Sequence, residues 1–382
     1  MSSTLVTAGL LGGLLALGGW ERWQRDLARR AIRIRIHVNG TRGKSTVTRL
    51  IAAALREAGL RTVAKTTGTA PRLILPDGTE QPIRRRAPAS IREQLAVLRE
   101  ARMLRAQAIV LECMAIAPGM QRTSERDMIQ ATIGIVTNVR PDHGDVMGTD
   151  PADVAAAFAA AMPVRAVLVL GFVEHAAMFN DEARKVGTRV VPSGSTLNAC
   201  PAHVAAWQRD NIAVALAVTR ELGIDDGIAL AGMAAARQDP GAMKARTAPI
   251  GGRAVTIVDA SAANDPDSLS RILDDSPAGE VRLFVFHHRA DRPLRLHQFA
   301  KSPVWKGPGT SVIITGETPD YVSRRKAGLE LEATHLEFAP HRALARTLRE
   351  QLARSPAITS VVFCGNSRNL DVAALLATLA ET

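Results

Sequence analysis

The residues of this chain that are best suited to phosphate chemistry lie together in one short stretch. A triphosphate needs inward-facing backbone N–H groups, which glycines permit, a lysine for its β- and γ-phosphates, a hydroxyl group for Mg²⁺ and a helix N-terminus. The stretch follows a strand predicted to end at Val38 and precedes a helix predicted over residues 44–58. The general phosphate-loop pattern has glycine where Val38 stands, yet this setting favours nucleotide binding over an accidental loop. The residues predicted to bind nucleotide are Asn39, Gly40, Thr41, Arg42, Gly43, Lys44, Ser45 and Thr46.

A carboxylate follows a second predicted strand. Residues 108–111 are an apolar run, and Glu112 comes directly after it. Ligands of open α/β sheets bind at the carboxyl ends of the strands, so we expect Glu112 to lie beside the phosphate loop. Because Mg²⁺ prefers oxygen ligands, we predict that Ser45 and Glu112 hold a magnesium ion.

An amide, a carboxylate and an imidazole follow a third predicted strand, residues 133–137. His143 is predicted to be a further metal ligand, although histidine is a less usual ligand for Mg²⁺ and could instead orient a neighbouring group. A lone loop histidine is more often structural, but the neighbouring Asn138 and Asp142 favour a functional role. We therefore predict Lys44, Asn138 and His143 as catalytic residues.

These segments belong to a predicted α/β fold. Apolar strands alternate with helical stretches, which indicates a mostly parallel sheet with helices on both faces. The alternation restarts after a cluster of proline and glycine residues, which places a boundary near residue 247. We predict a central phosphate-loop domain over residues 31–247 and a smaller Rossmann-like α/β domain over residues 248–382.

The composition narrows the class of partner. The 382 residues carry a net charge of +11, which suggests an anionic partner. Aromatic residues make up only 3%, and no nucleic-acid-binding motif occurs, so we expect an acidic substrate or anionic lipid and no nucleic acid. A general preference for arginine explains part of the charge but not the whole excess. The three widely spaced cysteines fit a reducing cytosol without disulfide bonds.

The N-terminal segment is apolar. From Leu5 to Gly19 every residue except Thr7 is apolar or glycine, and Trp20 and Trp23 follow. No basic residue precedes the run and no small-residue cleavage site follows it, which argues against a signal peptide. We predict that residues 1–30 form an apolar helix that anchors the chain at the cytoplasmic face of the cell membrane or binds a membrane partner. The alternative is an amphipathic or buried helix of a soluble protein.

The motifs together resemble those of the Mur ligase superfamily. The loop from Gly40 to Thr46 is similar to its ATP loop, and the segment from Asn138 to Asp145 is similar to its Asn-x-x-x-Asp-His-x-Asp motif. Glu112 matches its metal-binding glutamate, Asn211 lies in an element similar to its adenine-contacting one, and Asp259 begins a segment resembling the start of its C-terminal domain. The resemblance implies ATP and Mg²⁺ as cofactors, nucleotide contacts by Asn211 and Asp259, and a C-terminal domain for the amino substrate.

Within that superfamily, the chain resembles the ligase subunits of bacterial poly-γ-glutamate synthases of the capsule-biosynthesis type. Residues 112–115, 138–143 and 262–266 carry this resemblance, together with the apolar N-terminus. It implies an ADP-forming acid–amino-acid ligase that activates a γ-carboxylate as an acyl phosphate and joins it to an amine, polymerising glutamate. The implied partners are glutamate, an anionic γ-glutamyl polymer and small integral membrane subunits of an oligomeric synthase complex.

A segment similar to that subunit contains Arg289, Arg292 and Arg295. We predict that these arginines bind substrate carboxylates, because a guanidinium group can hold a carboxylate with two parallel hydrogen bonds. A solvated loop is an equally weighted alternative for all three.

Some features depart from the superfamily pattern and leave alternatives open. Phe158 stands where many Mur ligases carry a carbamylated lysine, and Val214 replaces the second asparagine of the adenine element. Because the phosphate loop begins at residue 39, we expect no domain for a UDP-sugar and hence no cell-wall precursor as substrate. The alternatives are a folylpolyglutamate-type or cyanophycin-type ligase and a membrane-associated NTPase that forms no bond.

Overall fold

The chain divides into two compact units, Met1–Asp239 and Pro240–Thr382. This division falls before the boundary predicted near residue 247. Gly251 and Gly252, with φ values of +56° and +75°, form the turn of a hairpin instead of a linker, so the strand before them belongs to the second unit. The computed structural model describes residues 3–68, 70–85, 88–140, 144–148, 150–194, 206–239, 243–261, 263–273, 280–290, 293–306, 309–317, 333–335, 341–366 and 370–380.

The first unit begins with one long helix, α1 (Ser3–Ala31). Large apolar side chains in its earlier part, such as Leu10 and Leu14, are exposed. Its last turns pack on the unit, where Ala28 is buried in one cluster with Leu98. The helix predicted as a separate segment over residues 1–30 is therefore partly integrated into the first unit. Within the described residues, no helix is long and apolar enough to span a bilayer.

The first unit contains one sheet. Its strands are β1 (Ile34–Asn39), β2 (Thr62–Lys65), β3 (Arg72–Ile74), β4 (Glu80–Pro82), β5 (Ala108–Glu112), β6 (Ile133–Val136), β7 (Val167–Leu170) and β8 (Arg189–Pro192). They lie in the order β4-β3-β2-β5-β1-β6-β7-β8. Among these described strands, β3 is antiparallel to both of its neighbours, β2 and β4, and the other pairs are parallel. The carboxyl ends of β2, β5, β1 and β6 therefore meet at one edge of the sheet.

Helices cover both faces of this sheet, which is why all five residues of β5 are buried. Residues of the helices α2 (Lys44–Glu57), α8 (Ala206–Glu221) and α9 (Asp226–Ala234) pack on one face. The end of α1, the helix α3 (Glu93–Met103) and a π-helix (Ser124–Ile129) pack on the other. The helices after α1 are α2 (Lys44–Glu57), α3 (Glu93–Met103), α4 (Pro118–Thr123), the π-helix (Ser124–Ile129), α5 (Gly144–Met147), α6 (Pro151–Ala160), α7 (Ala176–Val186), α8 (Ala206–Glu221) and α9 (Asp226–Ala234).

The second unit is also an α/β sheet. Its strands are β9 (Lys244–Ile250), β10 (Arg253–Asp259), β11 (Val281–His288), β12 (Ser311–Gly316), β13 (Ala333–His335) and β14 (Ile358–Cys364). They lie in the order β13-β12-β11-β14-β10-β9, and only β9 is antiparallel to its neighbour. Its helices are α10 (Pro266–Leu273), α11 (Pro293–Lys301), a short 3-10 helix (Pro303–Trp305), α12 (His341–Arg354) and α13 (Val372–Ala380). The predicted fold class is confirmed.

Candidate active site

The phosphate loop connects β1 to α2 and depends on two glycines. Gly40 has a φ of +121° and Gly43 a φ of +80°, a region that residues with a side chain rarely adopt. A Cβ atom on Gly40 would collide with the side chain of Thr137, and one on Gly43 would collide with the amide of Asn211. The predicted loop therefore has the tight backbone path that phosphate binding requires, and Asn211 lies against it.

The segment after β6 holds this loop in place. The amide side chain of Asn138 binds both backbone groups of Arg42: Oδ1 accepts from the N–H and Nδ2 donates to the carbonyl oxygen, each at 3.0 Å. The hydroxyl of Thr137 donates to the same carbonyl oxygen at 2.5 Å, and the N–H of Thr41 donates to the carbonyl oxygen of Asn138 at 3.1 Å. Asn138, predicted to be catalytic, acts here as a positioning residue for the loop.

Lys44 begins α2 and reaches back over the loop. Its Nζ donates to the carbonyl oxygens of Gly40 at 2.7 Å and Thr41 at 3.1 Å, so the ammonium group lies where the loop would enclose a phosphate. Gly43 is the N-cap residue of α2, and no described side chain caps that helix. Its first turn, which also holds Ser45 and Thr46, can therefore direct N–H groups and the positive end of the helix dipole to an anion.

Ser45 and Glu112 meet as the sequence predicts. Glu112 is only 3% exposed, and its Oε2 accepts hydrogen bonds from the Ser45 hydroxyl at 2.9 Å and from the N–H of Thr67 at 2.7 Å. Both bonds fall on one oxygen, so Oε1 stays available. A buried carboxylate beside a hydroxyl at the mouth of a phosphate loop is the type of oxygen donor set that Mg²⁺ accepts.

Part of the predicted metal site lies outside the described residues. His143 and Asp142 belong to that part of the chain, so the predicted role of His143 stays a prediction. Among the residues that the structure does describe, no three His, Cys, Asp or Glu side chains converge as a metal site would require. Ser45 and Glu112 are therefore the metal ligands that the observed geometry supports.

A cavity of about 240 Å³ joins these groups. The phosphate loop, Glu112 and the residues after β2 and β5 line it. Among its described lining residues, Arg42, Lys44 and Arg85 are basic, whereas Glu112 is acidic. Phe158, which replaces the carbamylated lysine of many Mur ligases, also lines the cavity, so this position faces the site but offers no metal ligand. The excess of basic groups suits a ligand that brings several negative charges.

Three charged residues near this cavity were missed by the sequence analysis. Lys65, at the end of β2, is fully buried, and its Nζ lies 3.2 Å from Oε2 of Glu93. Arg85 donates to both oxygens of the same carboxylate, at 2.7 and 3.1 Å. The sequence does contain a signal for Lys65, because this residue ends a buried strand just as Glu112 does. Pairing it with Glu93 required knowledge of the fold.

A buried imidazole lies below the loop, on β1. Nδ1 of His37 lies 2.7 Å from Oε2 of Glu125 on the π-helix. Burial lowers the pKa of His37, but Cys113 and the carboxylate of Glu125 outweigh it and raise that pKa to about 10. The charged pair thus ties the central strand to the π-helix.

The second unit uses its predicted site residues to hold its own loops. Oδ1 of Asp259 accepts from the N–H of Ser261 at 3.2 Å and from its hydroxyl at 2.7 Å. Arg295 donates to the carbonyl oxygen of Gly365 at 3.4 Å and to Oδ1 of Asn366. Arg289 directly follows β11 and is half-buried, whereas Arg292 lies outside the described residues. Nucleotide or substrate contacts by these residues stay predictions.

Comparison with known proteins agrees with this geometry. Residues 38–220 match the Mur ligase middle domain, and residues 245–382 match the poly-γ-glutamate synthase CapB C-terminal domain. The capsule biosynthesis protein CapB of Bacillus anthracis is 38% identical over 315 residues, which cover 80% of this chain and 68% of that protein. The PGA synthase CapB of Bacillus subtilis (strain 168) is 35% identical over 317 residues, covering 80% of each chain.

Solved structures share the fold at much lower identity. MurF from Acinetobacter baumannii has a TM-score of 0.70 at 15% identity, covering 96% of this chain and 80% of that one. A bifunctional folylpolyglutamate synthase/dihydrofolate synthase with Mn, AMPPNP and L-glutamate bound has a TM-score of 0.64 at 17% identity, covering 94% and 93%. At these identities the likeness shows the fold alone, so it does not favour the folylpolyglutamate-type alternative.

The phosphate loop, the Ser45–Glu112 pair and the Mur ligase middle domain define an ATP-dependent amide ligase of the Mur ligase superfamily. Within that superfamily, the chain belongs to the family of the poly-γ-glutamate synthase CapB.

Proposed function

We propose that this chain activates the γ-carboxylate of glutamate, or of the terminal residue of a γ-glutamyl polymer, and joins it to an amine to extend poly-γ-glutamate. The observation that carries the proposal is that Lys44, Glu112 and the phosphate loop line one common cavity. The relatives of 35–38% identity are named as PGA synthase and capsule biosynthesis proteins, which fits this use of the cavity. The positive lining of that cavity suits an acidic donor and a triphosphate together.

The chemistry proceeds in two steps. A carboxylate oxygen attacks the γ-phosphorus of ATP, the bond from that phosphorus to the β,γ-bridging oxygen breaks, and ADP leaves. An amine then attacks the acyl carbon of the acyl phosphate, inorganic phosphate leaves, and the nitrogen loses a proton to give the amide. Because the first step brings a carboxylate to a polyanion, it requires concentrated positive charge and fixed geometry.

Each residue of the site has a task in these steps. Lys44 neutralises the β- and γ-phosphate oxygens, and the N-terminus of α2 binds them through its N–H groups. Ser45 and Glu112 would hold Mg²⁺, which supplies further charge neutralisation on the triphosphate. Asn138 keeps the Arg42 backbone in the conformation that the loop requires.

Trapping of the acyl phosphate tests this proposal. The full chain in its membrane fraction is incubated with ATP, Mg²⁺, glutamate or short γ-glutamyl peptides, and hydroxylamine as the amine. We expect a γ-glutamyl hydroxamate and ADP in equal amounts, with ADP formation dependent on the carboxylate. Release of ADP at the same rate without any carboxylate, and no hydroxamate, would instead identify an NTPase that forms no bond.

We also propose that α1 docks this ligase at the cytoplasmic face of the membrane, on small integral membrane subunits of an oligomeric synthase. The support is the exposure of its apolar side chains: Leu10, Leu14 and Leu15 are 66–68% exposed, and Trp20 is 57% exposed. Such a surface is costly to leave in water and is typical of an interaction site.

Charged substitutions in α1 test the docking. The double variant Leu10→Glu, Leu14→Glu should leave the membrane fraction while retaining carboxylate-dependent ADP formation. Met103→Glu is the matched control, because Met103 on α3 is equally exposed but lies outside α1. If the double variant stays in the membrane fraction, α1 is not the docking element.

A further inference from the structure

A charged cluster of Arg85, Glu93 and Lys65 borders the cavity and has no role in the chemistry derived above. Arg85 belongs to the cavity lining, Glu93 lies in the first turn of α3, and Lys65 ends β2 beside the strand that carries Glu112. Glu93 binds the other two, at 3.2 Å from Nζ of Lys65 and at 2.7 Å from Nε of Arg85. The cluster thus joins three separate segments of the first unit at the wall of the active site.

The cluster carries an excess of positive charge. Two basic side chains share the carboxylate of Glu93. Lys65 is fully buried, and burial lowers its pKa, while Glu93 and Glu112 partly offset that lowering. Burial raises the pKa of Glu93, but Arg85 and Lys65 outweigh it and lower that pKa, so Glu93 stays ionised. Glu112 also acts electrostatically on Lys65, and it accepts hydrogen bonds from Ser45 and Thr67. The basic group of the cluster that faces the cavity is Arg85, and its charge suits an anionic ligand there.

Arg85 is oriented to donate a hydrogen bond to an anionic ligand in the cavity. Glu93 engages Nε and Nη2 of its guanidinium group and leaves Nη1 for another acceptor. A guanidinium held on one side by a carboxylate loses little side-chain entropy when it binds a second one. The side chain is about 25% exposed, on the wall of the cavity. Its position suits a ligand in the cavity rather than a purely structural ion pair.

The donor substrate has an anion of the required kind. Each glutamyl residue of a γ-linked chain keeps a free α-carboxylate, separated by the α-carbon and two methylene groups from the γ-carboxylate that reacts. The cavity lining also includes Met114, Ile116 and Met147, which can contact methylene groups. Its volume of about 240 Å³ lies below the roughly 300–1,000 Å³ typical of pockets for larger ligands. It therefore suits recognition of a single glutamyl residue beside the terminal phosphate.

We propose that Arg85, held by Glu93 and Lys65, binds the α-carboxylate of the glutamyl residue whose γ-carboxyl group is activated beside Lys44. This inference rests on the proposed function and specifies how its donor substrate is recognised. It assigns Arg85 as a specificity-determining residue, and Glu93 and Lys65 as the residues that position it.

A pair of donors that differ only in the α-carboxylate tests the assignment. A γ-glutamyl peptide ending in glutamate is compared with one ending in 4-aminobutyrate, which keeps the reacting carboxylate and lacks the α-carboxylate. With the full chain, ATP and hydroxylamine, the wild type should prefer the glutamate donor by about 10- to 100-fold in kcat/KM, the range for one hydrogen bond between charged groups. In Arg85→Gln this preference should fall to less than about 3-fold, mainly through KM for the glutamate donor, while KM for ATP stays unchanged.

The neighbouring Arg84 provides the matched control. It is exposed, is not part of the described cavity lining, and loses the same charge in Arg84→Gln. This control should keep the wild-type preference. Arg85→Lys, which keeps the charge and lacks the planar fork, should give an intermediate preference, and it replaces Arg85→Gln if that variant unfolds.

Two outcomes overturn the inference while the proposed function stands. The first is an equal loss of rate for both donors in Arg85→Gln, which means that Arg85 only shapes the loop. The second is a wild type that uses both donors equally well, which means that no α-carboxylate site exists. If the wild type forms no hydroxamate from any carboxylate, the proposed function itself fails, and this inference fails with it.

Discussion

The two units present similar sheet edges and use them differently. In each unit, a strand of the parallel part of the sheet ends in a polar residue: β1 ends at Asn39 and β10 ends at Asp259. In the first unit, the residues after β1 and β5 surround a cavity, and Lys44 and Glu112 line it. In the second unit, Asp259 and Arg295 bind neighbouring loop residues, and their predicted ligand contacts stay predictions. A polar residue at such an edge is therefore not by itself evidence of a ligand site. The polar groups must also line a common cavity.

The strongest test of this comparison removes Lys44, the lysine at the sheet edge of the first unit. Lys44→Ala should lower kcat/KM for carboxylate-dependent ADP formation by a factor on the order of 10³, because the charge of the transferring phosphoryl group loses its fixed cation. Lys185→Ala, an exposed lysine paired with Glu182 on α7, is the control and should retain full activity. Normal activity of the Lys44→Ala variant would show that the first edge is not the active site.

The next test concerns the carboxylate of the same edge. Glu112→Gln keeps the size of the side chain and removes its charge, so we expect the Mg²⁺ concentration for half-maximal activity to rise by about 100-fold. Titration of Mg²⁺ at saturating ATP measures this change. The control is Glu221→Gln, which removes a surface carboxylate that pairs with Arg189. An unchanged Mg²⁺ requirement would remove Glu112 from the metal site.

A third test concerns the buried pair of His37 and Glu125, which lies below the phosphate loop at the sheet edge of the first unit. The pKa of His37 is raised from 6.5 to about 10 in the folded chain, so its imidazolium form favours folding. This stabilisation of the free energy of unfolding is complete below about pH 6.5 and is lost as pH rises through about 10. Denaturant unfolding across pH 6–10 measures it.

Substitution of that histidine isolates its contribution. His37→Asn should lower the free energy of unfolding at pH 7 and flatten its decline between pH 6.5 and pH 10. His175→Asn, near the start of α7, controls for the substitution itself. An unchanged pH dependence in His37→Asn would show that other groups cause the decline.

The smallest effect is expected at the second edge. Asp259→Asn should change kcat/KM for ATP by less than about 10-fold and lower the free energy of unfolding by about 1 kcal/mol, since Oδ1 accepts two hydrogen bonds from Ser261. Ser261→Ala removes one of these bonds and serves as the matched variant. Loss of ATP-dependent activity in Asp259→Asn with unchanged stability would make the two edges equivalent, as the sequence resemblance implied.

Local patterns determined much of what could be predicted. The spacing of Gly40, Gly43 and Lys44 after an apolar strand was sufficient to predict the phosphate loop. Two apolar runs, one followed by Glu112 and the other by Asn138, predicted the two strands that border the phosphate loop. These features are readable because a strand buried on both faces is apolar throughout, and a tight loop requires glycine at particular positions.

Other features depended on which distant segments meet. The sequence could not show that Asn138 holds Arg42 or that Glu93 joins Lys65 to Arg85, because these contacts depend on strand order and on the packing of α3. The sequence also predicts a domain boundary near residue 247, a position that lies within β9, since proline and glycine mark turns and linkers alike.

The sequence by itself determined the kind of chemistry, because the phosphate loop and its acidic partner are encoded in short segments whose residue types have few other uses. Only the tertiary structure decided which side chains line the cavity and which contact neighbouring loops. The physical reason is that the role of a charged group depends on its neighbours and its burial, and both arise when segments far apart in the chain pack together.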